Sequence, residues 1–167
     1  EDRTAGHRWV AVGGRPTRPH SPNADVGIGS VDLFDLPELP KTMLIIGGGY
    51  IASEFAGVMN GLGVSVTQYY RGDQILRGFD NEARTLIADQ MVEKGIDLQL
   101  GTNIAEMEKR DDGVLVKSTT GAEAIFDQVL FATGRKPNTD SLGIEEAGGT
   151  LGRGGELVVD EYSQTGV

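Results

Sequence analysis

A chain of 167 residues with 25 carboxylates against 15 lysines and arginines, net charge −10, offers no dense basic patch, which excludes nucleic acid as an expected partner. It has no cysteine, so disulfides, thiolate metal sites and redox thiols are excluded from these residues. It has neither an apolar run of about eighteen residues nor a charged-then-apolar leader, so the expectation is a soluble, cytoplasmic protein with no membrane partner.

The length suits one ordinary domain, or one domain with flanking pieces of another. Glycine, at 25 residues, is about twice its usual share and falls mostly between strand-like runs, where it reads as turn chemistry. Histidine is confined to His7 and His20, too few for a histidine-centred metal or hydrolase site, and no metal is expected.

Taken in order, residues 1–38 read as an irregular edge and linker. Arg8–Val12 is strand-like but runs into Gly13-Gly14-Arg15-Pro16, and proline recurs at positions 19, 22, 37 and 40. A short helix is expected over Ser30–Leu36, with Ser30 as its cap and Val31, Leu33 and Phe34 turned inward. Leu36-Pro37-Glu38-Leu39-Pro40 then marks a boundary, and residues 39–136 are assigned to the main domain.

Met43-Leu44-Ile45-Ile46 is a buried strand that enters Gly47-Gly48-Gly49-Tyr50-Ile51-Ala52. A helix follows to about Gly61 or Gly63, with Ile51, Phe55, Val58, Met59 and Leu62 on one stripe and Ala52 and Ala56 beside them. Val64–Tyr69 is a second strand. Asp80 is placed to cap a second helix whose Leu86, Ile87 and Met91 form its apolar stripe, ending at Gly95, and Ile96–Leu100 is a third strand. Strand, helix, strand, helix, strand predicts an α/β fold with a parallel, doubly wound, Rossmann-like sheet.

From Asn103 the apolar residues come in short runs separated by Asp111-Asp112-Gly113 and Thr120-Gly121, both hairpin signals, which predicts an inserted antiparallel meander. A last core strand, Gln128–Ala132, ends at Thr133-Gly134-Arg135-Lys136-Pro137. Residues 137–167 are turn-rich with one expected strand, Glu156–Asp160, and read as a return segment.

The glycine turn carries the chemistry. Gly47 permits the tight turn out of the strand and Gly49 lets backbone N–H groups approach a pyrophosphate, while Ala52 stands where a third glycine is commoner. A site for NAD places an acid about twenty residues on, at the end of the second strand. Here Tyr69 and Tyr70 are followed by Arg71 and, six residues later, Arg77, which suit the 2′-phosphate of NADP(H). Each arginine alone is equally well a solvated surface residue; together, at this place, they favour phosphate. Asp73 lies between them and could neutralise one or reach the ribose itself.

These residues resemble the flavin-dependent pyridine nucleotide-disulfide oxidoreductases, and within them the branch that reduces glutathione disulfide. Gly47 to Glu54 is similar to the family's NADPH turn, Arg71 with Arg77-Gly78-Phe79-Asp80 to its arginine pair, and Ala132 to Thr139 to its second Ala-Thr-Gly segment. Ala11-Val12-Gly13-Gly14-Arg15-Pro16 resembles the first such segment, with Val12 where threonine is usual, and Val159 to Thr165 the return into a flavin domain. The resemblance implies that Gly47, Gly49, Tyr50, Ile51, Ala52, Glu54, Arg71, Arg77 and Gly134 serve the nucleotide. Tyr50 would be the gate over the flavin, Glu54 the partner of a flavin-side lysine, and Gly134 a backbone contact to the nicotinamide. It also implies FAD in the parent protein, glutathione disulfide as its substrate, and a homodimer.

The departures are absences: no FAD fingerprint, no cysteine pair and no His-Glu acid–base pair stands in these residues. The chain is therefore expected to be the middle of a longer flavoenzyme, between missing FAD and interface domains, and inactive alone. The alternatives are the same domain of a lipoamide dehydrogenase-like or mercuric reductase-like enzyme, or a non-catalytic nucleotide-binding module.

Overall fold

The structure, a computed structural model, describes residues 5–19 and 23–167; His20 and Pro22 lie outside the described residues. In chain order the elements are β1 Gly14–Pro16, β2 Ile28–Gly29, β3 Thr42–Ile46, α1 Tyr50–Gly61, β4 Ser65–Tyr70, α2 Asn81–Glu93, β5 Asp97–Leu100, β6 Ile104–Arg110, β7 Gly113–Ser118, β8 Glu123–Phe126, β9 Gln128–Phe131 and β10 Arg135–Pro137. The chain forms two compact units, Pro16–Gly134 and a smaller one of Glu1–Arg15 with Arg135–Val167.

The larger unit is built on a five-stranded parallel sheet in the order β2-β9-β3-β4-β5. Its central strand, β3, is apolar from Met43 to Ile46 because both faces are covered. Met43 and Ile45 point into a core shared with Ala52, Ala56 and Met59 of α1 and Met91 of α2. Leu44 and Ile46 point the other way, onto Met107, Val114, Val116 and Phe126 of the antiparallel sheet β6-β7-β8. The predicted α/β class, the parallel order and the inserted meander are all present.

Five local expectations are corrected. Residues 8–12 form no strand and Trp9 is exposed, because the edge pairing falls two residues later, between β1 and β10. The helix expected over Ser30–Leu36 is a single 3-10 turn, Asp32–Asp35, with no side-chain cap at its start. There the Asp32 carboxylate accepts from the Gly29 amide at 2.8 Å, and of the three apolar residues only Leu33 is buried, Val31 and Phe34 being exposed. The exposed Phe34 ring meets Phe55 edge-on, centroids 5.7 Å apart.

On α1 the buried line is Ala52, Ala56 and Met59, while Val58 and Leu62 are exposed. Small side chains win that face because they let the helix lie close to the strands. On α2 only Met91 of the predicted stripe is buried; Leu86 and Ile87 are exposed. Finally, Glu156–Asp160 is not a strand. Among the described residues there Leu151 and Leu157 form an isolated antiparallel bridge, and Asp160 instead turns the chain by accepting from the Tyr162 and Gln164 amides at 2.9 Å each. The smaller unit is tied by β1 and β10, by the Asn138 side-chain Nδ2 donating to the Val12 carbonyl at 3.0 Å, and by an Arg15–Asp140 ion pair that holds the Asp140 carboxyl below the usual range.

Candidate functional site

The sheet fixes where a ligand can sit. β4 and β5 follow β3 outward on one side, and β9 returns on the other, so the crevice between oppositely running connections opens at the carboxyl ends of β3, β4 and β9. A cleft of about 610 Å³ lies there, floored by Ile46, Tyr69 and Phe131 and walled by Gly47, Gly48, Gly49, Arg71, Arg77 and Gly134.

Gly47 leaves β3 with φ 140, a conformation L side chains avoid, and a Cβ there would lie 2.3 Å from the Ala132 carbonyl oxygen. Its N–H donates to the Tyr69 carbonyl at 3.0 Å, and its own carbonyl accepts from Nε2 of the fully buried Gln68 at 2.9 Å. Gly49 differs: it caps α1 in extended conformation, and a Cβ there would meet nothing within 4 Å. No side chain caps this helix, so the N–H groups of its first turn face an open cradle at the positive end of a helix dipole.

The arginines ride on the loop after β4. Ile75 and Leu76 are buried and pin the loop to the core, and the Leu76 N–H donates to the Gly48 carbonyl at 2.6 Å. From α2, Arg84 donates to the Ile75 carbonyl at 2.7 Å, the Gln74 carbonyl at 3.1 Å and Asn81 Oδ1 at 3.0 Å. Arg71 and Arg77 thus project, exposed, from an anchored loop. Neither guanidinium pairs with a carboxylate among the described residues, Asp73 included, and no carboxylate lines the cleft. On a chain of net charge −10 this is a local cationic site suited to a phosphorylated ligand.

The model of the pyridine nucleotide-disulphide oxidoreductase family matches residues 2–167. The chain belongs to the pyridine nucleotide-disulphide oxidoreductase family. Within it the similarity is to the glutathione and trypanothione reductases. A glutathione reductase of Burkholderia cepacia is 47% identical over 93% of this chain and 35% of its own length. The chloroplastic/mitochondrial glutathione reductase of Pisum sativum is 44% identical over 98% and 30% respectively. The HOCl-induced flavoprotein disulfide reductase RclA from Escherichia coli superposes with a TM-score of 0.85 at 31% identity, covering 93% of this chain and 36% of that one. The chain spans about a third of the length of the curated relatives it matches.

In this family member seven of the nine sequence-predicted residues fall in two places. Gly47, Gly49, Arg71, Arg77 and Gly134 line the cleft. Tyr50 and Glu54 line a second groove with Leu76, Phe79, Ile87 and Met91. Ala52 is fully buried against the turn, and the half-buried Ile51 lines neither cavity. Thr17, Arg18, Asn103 and Thr133 also line the cleft and were not expected from sequence. Arg18 is paired with Asp32 at 3.2 Å, and Thr17 and Thr133 bracket Gly134 through the Thr17 amide to Gly134 carbonyl bond at 3.0 Å. These residues come from loops that no periodic pattern marks. Tyr69, buried beneath the cleft, has its hydroxyl pKa raised by desolvation and by Asp97, so it stays a neutral phenol.

Proposed function

We propose that this chain is the NADPH-binding part of a glutathione-disulfide reductase-like flavoenzyme, with the nucleotide lying across the carboxyl ends of β3 and β4. The observation that carries the reading is the pair Arg71 and Arg77, anchored beside an open helix N-terminus and, among the described residues, paired with no carboxylate in a cleft that no carboxylate lines. The first-turn N–H groups of α1 would hold the pyrophosphate, the arginines the 2′-phosphate, and Gly134 the nicotinamide end. In this reading residues 39–136 are the nucleotide domain, and 1–38 and 137–167 belong to the edges of a flavin domain. Tyr50 and Glu54 face that domain as nicotinamide gate and lysine partner.

In the whole protein FAD, which residues outside this chain would hold, would supply the two-electron chemistry linking NADPH to a disulfide and on to glutathione disulfide. NADPH, a proton and one glutathione disulfide then give NADP⁺ and two glutathione thiols. The whole protein would be a cytoplasmic homodimer. What this chain's residues do is bind and orient the reductant, so no turnover is expected from them alone.

Nucleotide titration of the chain is the direct check. NADPH is expected to bind more tightly than NADH, and Arg71→Ala or Arg77→Ala to weaken NADPH about tenfold each while leaving NADH unchanged. Equal binding of the two nucleotides by the unmodified chain would point to an NAD-using disulfide oxidoreductase instead.

A further inference from the structure

Two glycines that flank the Tyr70 ring have no backbone reason to be glycine. Gly48 and Gly72 both lie outside the positive-φ region, unlike Gly47. What forbids a side chain at each is the same neighbour, the ring of Tyr70. A Cβ on Gly48 would lie 2.3 Å from Tyr70 Cγ and 2.4 and 2.5 Å from its two Cδ atoms. On Gly72 it would lie 2.6 Å from Tyr70 Cε1 and 2.9 Å from Cζ. The root of the ring therefore covers the glycine turn and its tip abuts the first residues of the arginine loop.

The ring cannot easily step aside. Tyr70 ends β4, its carbonyl accepts from the Thr102 N–H at 3.0 Å, and its partly buried side chain packs on the core shared by the strands and α1. Both glycine backbones are held as well. The Gly48 carbonyl accepts from the Leu76 N–H at 2.6 Å and the Gly72 carbonyl from the Gly101 N–H at 2.9 Å. An aromatic side chain clamped between two fixed backbones acts as a spacer.

We infer that Tyr70 is a positioning residue that sets nucleotide preference. Wedged between Gly48 and Gly72, its ring fixes the separation of the pyrophosphate cradle from Arg71 and Arg77, so that one nucleotide can reach both. The inference rests on the NADPH reading above. Its mechanism is spacing by shape: the phenol hydroxyl is not needed, and the glycines and the ring form one unit whose members cannot be changed independently.

A double-mutant cycle on the chain tests this, read by NADPH and NADH affinity and by Tm. Gly48→Ala forces the ring off its seat and is expected to weaken NADPH about tenfold or more. Tyr70→Val removes the spacer and is expected to lower the ratio of NADPH to NADH affinity by a similar factor, while Tyr70→Phe keeps the ratio. In the Tyr70→Val background Gly48→Ala is expected to cost almost nothing further, in affinity or in Tm. Additive effects of Gly48→Ala and Tyr70→Val, or an unchanged nucleotide ratio in Tyr70→Val, overturn the inference while leaving the NADPH reading standing. Failure of the unmodified chain to prefer NADPH overturns the NADPH reading, and this inference with it. Because the cycle is also read in Tm, a variant too weak to titrate still reports whether the ring and glycine are coupled.

Discussion

Gly47 and Gly49 look alike in the sequence and do opposite things. Gly47 is required by its φ of 140 and by the Ala132 carbonyl; Gly49 has an ordinary backbone and open space where its side chain would be. Gly47→Ala is therefore expected to cost about 2 kcal/mol or more of stability, seen in chemical denaturation. Gly49→Ala should leave the denaturation midpoint nearly where it was, within about 0.5 kcal/mol, and weaken nucleotide binding by filling the cradle. A Gly49→Ala chain that binds NADPH undiminished would show that the helix N-terminus is not the pyrophosphate site. The glycine spacing and the arginines were readable from sequence because each is a local feature. That Arg71 and Arg77 escape neutralisation by Asp73 was not, since it depends on where an anchored loop directs its side chains.

At the scale of elements, the boundaries of β3, α1, β4 and α2 follow from caps and breakers that the sequence states openly. Asp80 is the clearest case, accepting from the Glu82 and Ala83 amides at 3.0 and 3.1 Å. Asp80→Ala is expected to cost about 1 kcal/mol and to lower the Tm by about 2–4 °C, measured by thermal melting at neutral pH. The faces were less legible. Periodicity in α1 fits Ile51, Phe55, Val58 and Leu62 as well as it fits Ala52, Ala56 and Met59. Close approach to the sheet selects the line with the smaller side chains, and a hydropathy count favours the larger ones. The strand misplaced at residues 8–12 has a similar cause, because an edge strand is defined by its partner and not by its own composition.

Across the larger unit, Asp127 fastens the turn between β8 and β9 to the start of β3. Its carboxylate accepts from the Lys41 amide at 2.7 Å and the Thr42 amide at 2.9 Å, and the Thr42 hydroxyl accepts from the Asp127 amide at 2.9 Å. The Thr42 amide foremost holds the Asp127 carboxyl below the usual carboxylate range, outweighing an opposing desolvation with the help of the Lys41 amide. A carboxyl depressed in the folded state contributes stability that is full above the unfolded value and is lost as pH falls through the folded one. Asp127→Asn is thus expected to lower the Tm at neutral pH, and the difference from the unmodified chain should shrink toward zero as the medium is acidified below the ordinary carboxylate range. A difference that persists undiminished in acid would mean that the charge of Asp127 is not what the amides recognise.

By itself the sequence determined the α/β class, the parallel order of strands, the inserted meander and the family, because alternation of apolar runs with glycine and aspartate breakers acts over a few residues at a time. Only the tertiary structure decided which glycines are free to face a ligand, which side of each helix is buried, and that Thr17, Arg18, Asn103 and Thr133 join Gly47 and Arg71 around one cleft. The ends of three parallel strands bring together residues from six separate parts of the chain, and nothing in the spacing of those residues along it records that meeting.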